Sequence, residues 1–281
     1  MFKLKSSIAV GCLICDGLID GKYRYRFNPE FKNKIREIKE AGFDAVTLDV
    51  CGMAYSEIFD EYSVKACKIA KKAGLKIEGI HLPFCTWTDP CSPWEADREE
   101  IIKWLIKVCK RLEKFDVRVF VLHPGYPNCT DETRGKWMEK LIDSAERIGR
   151  ELKSAFCIEN MVGGQLLNTA DKLKELVDGA PSAYAVLDVN HLLLDKPEDA
   201  IIKLGNRLKA LHISDHDFVN ERHWIPGEGK IDWMKVIGAL EQIGFDGPFN
   251  MELRMGLGYT FKQAKEVHDK LFAEYNALKG E

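Results

Sequence analysis

Residues 117–123 read VRVFVLH, a β-branched and aromatic run that stops on a histidine and meets Pro124 and Gly125 at once. Such a run spells a short strand buried on both faces and closed by a turn. The construction recurs to either side. KIEGIH (76–81) lies upstream, and FCIE (156–159), YAVLD (184–188), LKALH (208–212) and FNME (249–252) lie downstream. Together with VFVLH they end on His81, His123, Glu159, Asp188, His212 and Glu252, each able to bind a metal. A side chain just past a parallel strand points into the mouth of a barrel, so this order describes one site assembled from many strands.

Between the strands the periodicity turns helical. The spacing predicts a first strand over Ile8–Ile14 and a second over residues 44–50 (DAVTLDV). Helices are expected at about Phe31–Ala41, Tyr62–Ala73 and Ala96–Phe115, the last with Ile101, Leu105, Val108 and Leu112 on one face. Further helices are expected at Thr133–Leu152, Thr169–Val177, Lys196–Leu204, Trp233–Ile243 and Thr260–Leu278. Regular alternation implies a parallel sheet covered by helices. Eight units favour a closed (β/α)8 TIM barrel over an open doubly wound sheet, and no Gly-x-Gly-x-x-Gly follows the first strand to mark a dinucleotide site. No repeat, linker or low-complexity tract divides residues 1–281, so one domain is expected.

Composition narrows the class. The 281 residues are 46% apolar and carry a formal charge of −3, which offers no global field for nucleic acid or an acidic membrane surface. No run approaches the roughly 20 apolar residues needed to span a bilayer. Nine cysteines in a chain of this length lack the dense pattern of a disulfide framework, so reduced thiols and a cytoplasmic location are expected. Cys12 and Cys15 form a Cys-x-x-Cys pair with no second pair at zinc spacing, and read as strand-end hydrophobes. Sequence does not distinguish a monomer from a homo-oligomer.

Glu159, Asp188, His212 and Glu252 supply three carboxylates and one imidazole, a donor set suited to Mn²⁺, Mg²⁺, Co²⁺ or Zn²⁺ and ill suited to soft copper. His191, three residues beyond Asp188, is read as a contact to a substrate oxygen or an orienting group. Asp215 and His216 are weaker candidates, and Glu228 between two glycines reads as a turn residue. Phe84, Trp87 and Trp224 fall in loops after strands, where rings can stack on a flat ligand face or simply pack. Arg254 lies two residues past Glu252, so it would share a face with Glu252 if the strand ran that far, and could clamp an anionic substrate group.

ENMVGG (159–164), DVNH (188–191), HISDHD (212–217), ERHWIPGEG (221–229) and NMEL (250–253) resemble the xylose-isomerase-like barrel superfamily, over nearly the whole chain. That superfamily contains sugar isomerases and epimerases, inosose dehydratases and endonuclease IV repair enzymes. In its epimerase branch, the resemblance implies, Glu159, Asp188, His212 and Glu252 hold one divalent ion and the two glutamates serve as acid and base. The implied reaction is proton transfer beside the carbonyl of a keto or aldo sugar, phosphorylated or not, through a metal-stabilised enediolate. The endonuclease branch uses a larger set, matched here by His81, His123, Glu159, Asp188, His191, His212, His223 and Glu252, with Glu221 where the repair enzymes have Asp. A three-zinc abasic-site enzyme and an inosose dehydratase-like lyase therefore stay as alternatives. Against the repair enzyme, GCLICDG (11–17) departs from its pattern and no basic loop cluster tracks phosphates.

Overall fold

The apolar runs become parallel strands of one sheet. In the computed structural model, which describes residues 1–19, 22–49, 56–84, 88–125 and 130–280, they are β1 (Ser6–Gly11), β4 (Ala45–Asp49), β5 (Lys76–His81), β6 (Val119–Leu122), β7 (Ala155–Glu159), β8 (Ala183–Asp188), β9 (Leu208–His212) and β10 (Phe249–Met251). Their order is β10-β1-β4-β5-β6-β7-β8-β9, every pairing parallel. Ile213 closes the ring: its N–H donates to Asn250 O at 2.8 Å, and Glu252 N–H donates to Ile213 O at 2.9 Å. Helices α1 (Phe31–Glu40), α2 (Ser56–Lys72), α3 (Glu95–Leu112), α4 (Asp131–Gly149), α5 (Ala170–Gly179), α6 (Pro197–Leu204), α7 (Trp233–Gln242) and α8 (Phe261–Leu278) make it a (β/α)8 TIM barrel. None of them is long and apolar enough to cross a membrane.

The first unit departs from expectation. The run predicted as one strand over Ile8–Ile14 is split at the buried Cys12, after which β2 (Leu13–Ile19) and β3 (Lys22–Phe27) form a separate antiparallel hairpin. A shift in register between Cys15 and Gly17 marks a bulge, and Gly17 adopts φ 115°, a conformation that a residue with a Cβ rarely takes. Phe27 anchors the hairpin edge-on against Phe31 at 5.3 Å and Tyr62 at 5.5 Å.

Period two places the site. Val119, Val121, Cys157, Val186 and Ala210 form a buried cluster of their own, apart from the larger one built by strands and helices. Side chains two residues apart share a face of a strand. His123, Glu159, Asp188 and His212 each lie two beyond a member of that inner cluster, so each emerges at the C-terminal mouth.

Candidate active site

The mouth gathers the residues expected there. Ligand atoms of Glu159, Asp188, His212 and Glu252 all lie within 4.8 Å of one another, and those of His81, His123 and Glu159 form a second such group. Glu159 belongs to both. Its Oε1 accepts from His212 Nδ1 at 2.9 Å, while Oε2 faces His81 Nε2 at 3.2 Å and His123 Nε2 at 3.4 Å. The same His212 nitrogen lies 2.7 Å from Glu252 Oε2, so one N–H bridges two carboxylates.

The charges follow from this crowding. Burial works against an ionised Glu159, but the charge on His212 and bonds from His123, His212 and His81 outweigh it and hold the carboxyl well below its usual range. Burial likewise opposes charge on His212, yet Glu159 and Glu252 lift its pKa well above 6.5. Glu252 is lowered to about 2: burial acts against this, and the charge and hydrogen bond of His212 prevail. Asp188 goes the other way, raised to about 6 by burial, with His191 opposing and the charges of Glu252 and Glu159 adding to the rise. His123 is pushed down by burial and stays a neutral imidazole, the form that binds metals.

This donor set fits a cation. Asp188 Oδ2 is buried and has no hydrogen-bond partner; His191 Nε2 stands 3.3 Å away outside bonding geometry. Orphaned buried oxygens are rare in native proteins, because desolvation then goes uncompensated. His212 Nδ1 lies 2.9 Å from a Glu159 oxygen and 2.7 Å from a Glu252 oxygen, so donors from three residues converge where they would hold a cation.

Around this centre, two asparagines that the sequence reading passed over hold the frame. Asn160 accepts from Asp188 N–H at 2.7 Å and donates to Asp188 O at 2.9 Å, tying the ends of β7 and β8, and its carbonyl accepts from His191 Nδ1 at 2.8 Å. Asn190 Oδ1 accepts from Arg222 N–H and His223 N–H at 2.9 and 3.1 Å, and its N–H donates to Asp188 Oδ1 at 2.8 Å. Their adjacency to Glu159 and Asp188 in ENMVGG and DVNH was the available signal.

The remaining candidates sort by position. His191 Nε2 is 3.0 Å from Glu221 Oε1; burial opposes its charge, but Asp188, Glu221 and Glu159 lift its pKa to about 10. His223 takes φ 50° and its Nδ1 lies 3.1 Å from Glu252 O. Phe84 stacks on His123 with centroids 4.4 Å apart. Trp224 pairs with Asp215 through backbone bonds, and the Arg222 guanidinium lies 5.3 Å over its ring. Asp215 is scaffolding: it accepts from the N–H groups of His216, Gly227 and Ile231 and from Trp233 Nε1. Glu228 is exposed and accepts from Tyr259 OH. Arg254 does not share the face of Glu252 by strand alternation, since β10 ends at Met251; it is exposed, and its N–H donates to His223 O at 3.0 Å. Trp87 lies outside the described residues.

A family model described as xylose isomerase-like TIM barrel matches residues 35–271. A D-psicose 3-epimerase of Ruminiclostridium cellulolyticum is 25% identical over 269 residues, covering 89% of this chain and 89% of its own. A D-psicose 3-epimerase of Enterocloster bolteae is 31% identical over 238 residues, covering 79% of this chain and 76% of its own. The solved D-psicose 3-epimerase with D-tagatose from Clostridium cellulolyticum has a TM-score of 0.73 at 17% identity, over 98% of this chain and 99% of the other, a likeness of fold alone.

Proposed function

The chain belongs to the xylose isomerase-like TIM barrel family and is an enzyme of its sugar isomerase and epimerase branch, and from that premise we propose that it is a divalent-metal-dependent sugar epimerase. The observation that carries the reading is the convergence of Glu159, Asp188, His212 and Glu252 within 4.8 Å, with one buried Asp188 oxygen left without a partner. These four residues would hold Mn²⁺, Mg²⁺, Co²⁺ or Zn²⁺, which when bound supplies Lewis-acid polarisation of neighbouring carbonyl and hydroxyl oxygens.

Glu159 and Glu252 are the acid and base. Both are ionised across neutral pH, and they approach the His212 nitrogen from different strands, β7 and the segment after β10. One takes the proton beside the substrate carbonyl; the other, once it has taken up a proton from solvent, gives it to the opposite face of the planar carbon, which inverts it, and the first then releases its proton to solvent. His81 and His123 fix Glu159 from behind. His191 donates to a substrate oxygen, Arg254 and Trp224 serve the rim, and Trp87 is a further substrate contact.

Ketoses such as D-psicose and D-fructose, incubated with the protein and Mn²⁺ in D₂O, are expected to gain deuterium at the carbon beside the carbonyl, read by NMR, and chelator is expected to stop the exchange. No exchange with any ketose would overturn the reading. A second reading, an endonuclease IV-like enzyme, draws on the His81, His123 and Glu159 group beside the first. Elemental analysis separates the two: one ion per chain supports the epimerase, and three zincs with nicking of abasic duplex supports the repair enzyme.

A further inference from the structure

Opposite the mouth, at the N-terminal ends of β7, β8 and β9, the surface folds into a cavity of about 440 Å³. That is the size of a small-ligand cleft. Arg150, Lys153 and Lys209 line it together with Tyr184, and among the described residues its lining contains no carboxylate. We infer that this cavity is a binding site for an oxyanion, the phosphate group of a small metabolite being the ligand its chemistry fits.

Three observations support the assignment. The first is the absence of counter-charge. Cations elsewhere on this acidic chain are often paired, as in Lys110–Glu151 at 2.6 Å, Arg147–Glu99 at 2.6 Å and Lys203–Asp171 at 2.5 Å. Among the described residues Arg150, Lys153 and Lys209 have no ion pair, although they share one cavity. Carboxylates beside it are already committed: Glu146 accepts from Ser182 N–H at 2.8 Å and Oγ at 2.9 Å, and Glu113 accepts from the N–H groups of Lys153 and Ser154.

The second is a fixed positive charge behind the wall. Arg207 spends its guanidinium on the carbonyls of Val177, Ala180, Pro181 and Ala183, no carboxylate among the described residues pairs with it, and its Nε is buried without a hydrogen-bond partner. Its Cζ lies 4.9 Å from the Tyr184 ring centroid, and Lys209 Nζ lies 5.6 Å from it. Two cations over one ring orient Tyr184 as part of the cavity wall. Guanidinium, ammonium and phenol are all donors, the complement of phosphate oxygens.

The third is construction. The end of α4 meets the turn before β8 so closely that a Cβ on Gly149 would stand 2.3 Å from Ser182 O, so this wall of the cavity is set by the fold. The strands involved are those of the catalytic centre: Lys209 and His212 both lie on β9, Tyr184 and Asp188 both on β8. Three residues of strand span about 10 Å, so an anion here would brace the strands that carry Asp188 and His212.

Calorimetric titration of the full chain with inorganic phosphate, at ionic strength held constant with chloride, tests the assignment. Saturable one-site binding is expected, weakened roughly tenfold or more in Lys153→Gln/Lys209→Gln, because each lost cation removes a charge-assisted bond. Arg254→Gln should bind phosphate as the parent does. Tighter binding of a sugar phosphate than of inorganic phosphate, again lost in the double variant, identifies a phosphorylated metabolite as the ligand; equal binding identifies free phosphate. The assignment fails if phosphate does not bind, if the double variant binds as well as the parent while unfolding at the same temperature, or if Arg254→Gln alone removes binding.

Discussion

The two ends of the barrel both bury charge, and they treat it differently. At the N-terminal end Glu78, 5% exposed, meets the Arg118 guanidinium in a paired contact, Nε lying 2.8 Å from each carboxylate oxygen. Arg118 also donates to Lys209 O. There the chain supplies both signs, and the pair closes on itself. At the C-terminal end Glu159, Asp188, Glu221 and Glu252 crowd five histidines, one proton bridges two carboxylates, and an Asp188 oxygen lacks a partner. Matched buried charge serves structure, whereas unmatched acceptors converging on one point call for something from outside.

The largest expected effect separates the ends by activity. Glu159→Gln and Glu252→Gln should each lower solvent-deuterium exchange into the sugar by about 10³-fold, the usual scale of general acid–base catalysis, with sugar binding kept. Glu78→Gln should leave exchange near the parent level. Equal losses in all three variants would mean that the contrast is one of stability alone.

Next comes the response to metal and pH. A divalent ion at 1,000 times its Kd should stabilise the chain by about 4 kcal/mol, seen as a rise in Tm that chelator reverses and Asp188→Asn abolishes. Protons compete for the same atoms. Asp188, raised to about 6, binds a proton as pH falls through 6, and His212, raised well above 6.5, is protonated on both sides of that point. Metal binding thus displaces one proton above pH 6 and two below it, so affinity should weaken as pH falls, about tenfold per unit from 8 to 6 and about a hundredfold per unit below 6. Titrations from pH 5 to 8 read the slope. A flat profile would remove Asp188 and His212 from the ligand set.

What the sequence disclosed follows the same division. Strand ends were legible because each apolar run stops at the residue that leaves the wall, and period two then aims it. Convergence was legible for Glu159, Asp188 and His212 by the same rule, each two residues beyond an inner-cluster side chain. The rule failed at Arg254, because β10 stops at Met251 and the chain turns into a short 3-10 helix, Met255–Leu257. The β2–β3 hairpin was missed because an apolar run continues across Cys12; yet the Tyr–Arg alternation of KYRYRF and the Asp20-Gly21 dipeptide are hairpin signals. Asn160 and Asn190 escaped because their work is bonding backbone across loops, which leaves no period in a sequence.

The smallest expected effect tests the closed pair. Glu78→Gln leaves the Arg118 guanidinium beside a group that accepts less strongly and no longer neutralises it. Breaking a fully buried pair costs about 3–5 kcal/mol, and because the Arg118 side chain is 33% exposed the loss here should be smaller, about 2–3 kcal/mol. Denaturant unfolding at pH 7 measures it. Arg118→Met should lose at least as much, since it strands the less exposed partner, Glu78. Glu78→Leu/Arg118→Met should recover most of either single loss, because an apolar pair of similar volume removes both desolvation penalties together. If the double variant is instead as unstable as the two single losses added, the carboxylate and guanidinium act independently, and the Glu78–Arg118 pair would not be the self-contained counterpart of the mouth.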